Sequence, residues 1–310
     1  MAPPLLRTLL LGCCAAILCN AIGHAEEVEA ISSKIGKGYV RKKLPDGSLQ
    51  PETYAFGKGD NMTGARVDAT IDRMDFMDVA RILSVPLAEK GYVPTRDPKT
   101  TNELIMVYWG TTRAPEDATG SDSHYMSQLA TARQQAAVNN VKDYKNPNPK
   151  FPTRTTNPAT EALAAEDNDL LSANIGVQAE NQRREDQDMK TATLLGYDSW
   201  WVKANAAMDG SALGRRKADM RAELEEDRYF VVLTAFDYQE LVKEKKSRFL
   251  WEVRFSIREH GTAFDKRIDG MAKLASDYFG RDSAGLHHDT LPEGKVEIGP
   301  VKSLGVVSGK

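Results

Sequence analysis

Two unbroken apolar stretches, LIMVYWGTT (Leu104–Thr112) and YFVVLTAFD (Tyr229–Asp237), set the terms on which this chain can fold. Each is short, rich in β-formers and apolar at consecutive positions, so each predicts a strand covered on both faces. Strands of one sheet are usually joined by a few residues. Here residues 113–228 intervene, so the chain must carry a large insertion between two central strands.

The remaining elements follow from periodicity. TYAF (Thr53–Phe56) predicts a short strand, and VDATID after a glycine-punctuated loop offers a second. In DFMDVARILSVPLAEKGY, Phe76, Val79, Ala80, Leu83 and Leu87 make one helical stripe, with Asp75 as its cap and Gly91 as its stop. Pro86 is expected to kink that helix or split off its last turn. RFLWEVRFSIRE alternates: Phe249, Trp251, Val253, Phe255 and Ile257 face a core, while Glu252, Arg254 and Arg258 face water. TAFDKRIDGMAKLASDYFG predicts a second amphipathic helix through Phe264, Ile268, Met271 and Ala275, with Thr262 and Asp265 as a capping box.

Within 113–228, helices are expected around 124–144, 159–197 and 211–227, interrupted by the Pro-rich stretch 146–157. Residues 26–52 read as a flexible arm and 281–310 as a Gly-rich tail with one edge strand at KVEIG. The expected organisation is therefore a leader (1–25), the arm, an α+β domain built from 53–112 and 229–280, the insertion and the tail. Its sheet is expected to hold about four mainly antiparallel strands, with helices packed on one face.

The order TYAF, a helix ending LAEKGY, LIMVYWG, then VVLTAFD, FLWEVRFSI and a final amphipathic helix resembles a bacterial envelope family carrying a domain of unknown function, many of whose members are lipoproteins. The likeness spans about 53–112 and 229–280. It implies an envelope location and a fold, and it brings no catalytic residues with it.

The first residues point the same way. Arg7, the apolar run Thr8–Ile22, and Gly23 and Ala25 before Glu26 have the layout of a secretory signal cut between Ala25 and Glu26. The apolar run is shorter than the ~20 residues a bilayer span needs. Cys13, Cys14 and Cys19, the chain's only cysteines, would leave with it, removing disulfides and thiolate chemistry from the mature protein. A lipid-anchored form, with Cys13 as acceptor, is the rival; Leu18 before Cys19 does not suit lipidation. Cleavage leaves 40 basic against 44 acidic residues, a net charge of −4 in place of −3, which argues against a nucleic-acid partner. No other run is long enough to span a membrane.

Chemistry-bearing motifs are sparse. His287, His288 and Asp289 adjoin, but neighbours on an extended segment point apart and no spaced metal pair occurs. FGKGDNMTG fits neither phosphate-loop spacing, and Asp68, Asp72, Asp75 and Asp78 suit caps better than an EF-hand. No nucleophile elbow is present. No catalytic residue, cofactor or metal site is assigned. Contact residues for a partner or ligand are sought at Trp200, Trp201, Trp109, Trp251, Arg254 and Arg258. The leading expectation is a periplasmic or secreted protein with a non-catalytic role, touching an envelope protein or glycan through its insertion. The rivals are a hydrolase, or a small-ligand carrier lined by Tyr108, Trp109 and Trp251, with the site between sheet and insertion.

Overall fold

The computed structural model describes residues 28–61, 68–114, 121–144, 158–205, 211–259, 261 and 263–291. The leader with Ala25 and Glu26, the Pro-rich stretch, His260, Thr262 and KVEIG lie outside the described residues. In chain order the elements are β1 (Val28–Ile35), β2 (Glu52–Asn61), α1 (Ala69–Asp72), α2 (Phe76–Glu89), β3 (Tyr92–Pro94) and β4 (Glu103–Thr111). The insertion supplies α3 (Asp122–Asp143), α4 (Pro158–Leu195), α5 (Asp198–Asn205) and α6 (Ala212–Leu224). Then come β5 (Arg228–Asp237), α7 (Tyr238–Glu244), β6 (Phe249–Arg258), α8 (Phe264–Ala275) and β7 (Leu286–Thr290).

The sheet has seven strands in the order β3-β2-β4-β5-β6-β1-β7 and is mixed: β2 runs parallel to β3 and β4, and the other neighbours are antiparallel. The expectation of about four mainly antiparallel strands is overturned. Its physical cause lies largely in β1. VEAISSKI has few large apolar residues, so it reads as an arm, yet it pairs on both edges, with β6 and β7. Pairing supplies what its side chains do not advertise. GLHHDT likewise forms an edge strand, and VDATID forms α1, because Asp68 caps it by accepting from the Thr70 N–H at 2.7 Å.

Helices cover both faces, which corrects the one-face layout. On the first face, Tyr54, Ile105, Val107, Trp109, Val231, Leu233, Trp251, Val253 and Phe255 pack against Val79, Leu83 and Leu87 of α2 and Phe264, Ile268 and Met271 of α8. α2 runs unbroken through Pro86, whose ring is buried. Ala263, not a capping box, precedes α8, and the Phe264 N–H is taken by Thr70 Oγ1 at 3.2 Å. On the second face, Ala30, Phe230 and Val232 meet Ala192 and Leu195 of α4, Tyr197 and Trp201 from the α5 region, and Met220 and Leu224 of α6.

α4 is 38 residues long, ~57 Å at 1.5 Å per residue, and its buried residues are confined to Asp188–Leu195. The rest pairs with α3 in an antiparallel hairpin. Ser121 Oγ to Glu180 Oε2 (2.9 Å), Ser127 Oγ to Asn174 Oδ1 (2.9 Å) and Gln134 Nε2 to Asp167 Oδ1 (3.1 Å) fix the register. The seam is thin: only Ala130 and Ala137 of α3 are buried. At the other end α4 is pinned to the sheet by Gly196. Its φ of +83° suits glycine, and a Cβ there would lie 2.6 Å from Ser32 Cβ on β1.

Candidate functional site

The C-terminal part of α4 covers β1 and the near part of β5 and leaves a cavity of about 530 Å³ beside them. Its floor follows from strand register. Tyr108, Val232 and Arg254 form one cross-strand row on the second face, while Thr234 and Glu252 form the next, extended by Lys34. Its roof is one side of α4: Met189, Lys190, Thr193 and Leu194, which recur at the spacing of a single helical face. The lining is mostly apolar, with a few polar groups, the character of small-molecule sites in this size range.

The polar end is ordered. Glu252 Oε1 lies 3.0 Å from Lys34 Nζ and 2.8 Å from both Nε and Nη2 of Arg254, and its Oε2 accepts from Thr234 Oγ1 at 3.0 Å. Both oxygens of Glu252 are therefore engaged. Lys190 makes no ion pair or hydrogen bond among the described residues. A neighbouring hollow of about 20 Å³, about the space of one water, shares Glu252 and Arg254 and adds Ser32, Lys34, Gly196 and Asp198.

Of the six residues sought from sequence, one lines this cavity. Arg254 is on its floor. Arg258, four residues along the same strand, instead pairs with Glu226 at the strand end. Trp109 and Trp251 point to the first face, because neighbours on a strand alternate. Trp109 stacks on Phe76, and Trp251 stacks on Phe279. The expected carrier lining thus keeps Tyr108 alone. Trp201 is fully buried in the second core, and Trp200 is half-buried between Arg216 (4.8 Å) and Lys203 (5.7 Å). Met189, Lys190, Thr193, Leu194 and Thr234 escaped the sequence reading. Their only signal, a four-residue recurrence in a long polar helix, is shared by much of α4.

Other titratable groups gather away from the cavity. Under the first face, Glu103 is 1% exposed; its Oε2 accepts from Trp251 Nε1 at 3.0 Å. Tyr39 Oη lies 2.8 Å from Glu52 Oε2 and 3.3 Å from Glu103 Oε1, and Arg41 Nε is 3.2 Å from Glu52 Oε2. Burial, and next the Glu52 charge, push the Glu103 carboxyl well above its ordinary 4.5. Glu29 of β1 is fully buried with neither oxygen hydrogen-bonded. Burial, then Asp289, raise it well above 4.5 against the opposing pull of Arg228. His287 and His288 take opposite faces of β7; His287 lies against the Tyr278 ring, and His288 Nε2 sits 3.0 Å from Glu223 Oε2. Among the described residues no three His, Cys, Asp or Glu side chains are placed to hold a metal ion, and no helix is long and apolar enough to cross a membrane.

No family model matches this chain, and no curated protein matches it in sequence. Among solved structures it is similar to a PDZ domain protein from Parabacteroides distasonis at 11% identity and a TM-score of 0.34. That alignment covers 85% of this chain and 39% of that one, and a likeness so loose carries no argument. No family membership follows.

Proposed function

We propose that this is an exported binding protein that carries a small ligand between its sheet and α4. The observation that supports it is the cavity itself: about 530 Å³, largely open, lined mainly by apolar groups and bordered by an ordered Thr234–Glu252–Arg254 cluster. Chemistry has less support there. Thr234 donates to Glu252 Oε2 at 3.0 Å, but both are tied into the ordered polar cluster, and among the described residues the cavity lining holds no histidine or cysteine beside them to act as nucleophile or proton shuttle. Export rests on the sequence of residues 1–25, and the N-terminus of protein from its native cells tests it: a chain beginning at Glu26 supports export, and an intact Met1 refutes it.

The site is tested with a neutral amphiphile, 1-decanol, and with Thr193→Trp, which fills the cavity from an exposed helix position. Wild type should bind saturably and gain about 2.7 kcal/mol of stability at a hundred times the Kd. Thr193→Trp should fold and not bind. Equal binding by both proteins, or by neither, refutes the reading.

A second reading, contact with an envelope protein or glycan through the insertion, is favoured by one observation. The α3–α4 hairpin exposes Tyr125 (64%), Met126 (50%), Leu171 (59%) and Ile175 (57%). Replacing these four by serine should weaken partner capture in periplasmic extract if the hairpin is the contact, and leave it unchanged if it is not.

A further inference from the structure

We infer that the ligand of this cavity is an amphipathic anion, with an apolar body along Tyr108, Leu194 and Val232 and an acidic head between Lys190 and Arg254. This rests on the reading of the cavity as a ligand site and adds the chemical class. The walls carry two cations, Lys190 and Arg254, and one carboxylate, Glu252. That carboxylate is matched by Lys34 from outside the cavity as well as by Arg254. Asp198 borders the adjoining hollow and is the other acid near this end. Counting Lys34, Lys190 and Arg254 against Glu252 and Asp198, the polar end keeps one positive charge in excess.

The geometry says where that excess is available. Arg254 commits Nε and Nη2 to Glu252, and its remaining amino group belongs to a fork suited to a second acidic oxygen. Lys190 stands on the roof facing that floor and is uncommitted among the described residues. Two donors from opposite walls, one of them without a protein acceptor, form an incomplete set that an anion completes. The negative end of the α4 dipole opposes an anion, but that field fades within the last turn, and Lys190 lies five residues before Leu195. A cationic ligand would meet Lys190 and Arg254 and find Glu252, the one carboxylate of the cavity lining, already paired with Lys34 and Arg254.

The test uses the full chain and three probes of equal length: decanoate, 1-decanol and decylammonium. Isothermal titration near neutral pH should rank decanoate about tenfold or more tighter than decanol, a tenfold ratio being ~1.4 kcal/mol, with decylammonium weakest. Lys190→Met, which keeps helix propensity, should weaken decanoate binding and bring it down to about the affinity of decanol for the same variant. Lys190→Arg should restore it, which distinguishes lost charge from lost structure. Decanol binding as tightly as decanoate, or decylammonium binding tightest, overturns the anionic class while the cavity reading survives. Binding of none of the three overturns both.

Discussion

Replacing Glu103 by glutamine should make the protein more stable at neutral pH. The reasoning is a proton count. Tyr39 Oη lies within hydrogen-bond reach of Glu52 Oε2 (2.8 Å) and Glu103 Oε1 (3.3 Å), and a hydroxyl has one proton. That proton goes to Glu52, the shorter contact and the carboxylate ion-paired with Arg41. The contact to Glu103 is then favourable only if Glu103 is itself protonated and donates. The folded carboxyl is indeed raised well above 4.5, first by burial and then by the Glu52 charge. In the unfolded chain Glu103 ionises near 4.5, so folding at any higher pH takes up a proton. Its share of stability is complete below 4.5 and falls by about 1.4 kcal/mol per pH unit as pH rises, until the folded pKa is passed. A glutamine amide reproduces the acceptor for Trp251 Nε1 and the donor toward Tyr39 and does not titrate. Glu103→Gln should therefore match wild type near pH 4.5 and exceed it by an amount that grows by about 1.4 kcal/mol per pH unit until the folded pKa of Glu103 is passed, and then levels off. Glu103→Ala should instead lose about 2–5 kcal/mol near pH 4.5, because it leaves a cavity and an unpaired indole N–H, and that deficit should shrink as pH rises, since alanine does not titrate either. Urea unfolding from pH 4.5 to 8 reads both. Parallel pH profiles for wild type and Glu103→Gln would refute the protonated-acid account.

Other substitutions probe the frame that holds the cavity. Glu29→Met should raise stability at neutral pH by about 1–3 kcal/mol, since both oxygens are buried without partners; thermal unfolding that shows a loss refutes it. Gly196→Ala should cost about 2–4 kcal/mol, combining a left-handed φ with a Cβ driven into Ser32, and chemical denaturation measures it. Trp201→Ala should cost about 3–5 kcal/mol and abolish decanol binding, because it empties the second core that seats α4; retained binding would show that the roof is placed without that core.

Strongly patterned elements were legible. The unbroken apolar runs became β4 and β5, the alternating run became β6, and the two stripes became α2 and α8. Weakly patterned elements were not. β1 (VEAISSKI) and β7 (LHHDT) intersperse their few apolar residues with Glu, Ser, His and Asp, and their strand state comes from neighbouring strands. β3 has three residues, and α7 follows β5 only because Asp237 caps it, accepting from the Glu240 N–H at 2.9 Å. Two-sided helix cover was hidden for a related reason. β6 alternates, yet Glu252, Arg254 and Ser256 lie under α4 or beside Arg228, so their polarity marks an ordered network and not open water. The place of Glu252 and Arg254 on one face of β6 could be drawn from their two-residue spacing on one strand. Lys190 could not, since nothing in α4 distinguishes it from the helix's other charged residues until α4 is laid over the sheet.

The most direct test of the central claim is the structure of the protein crystallised with 10-bromodecanoic acid, read by bromine anomalous scattering. The account expects one strong peak in the space bounded by Tyr108, Leu194 and Val232, with the acid group toward Lys190 and Arg254. A peak elsewhere, or none at saturating ligand, would contradict it.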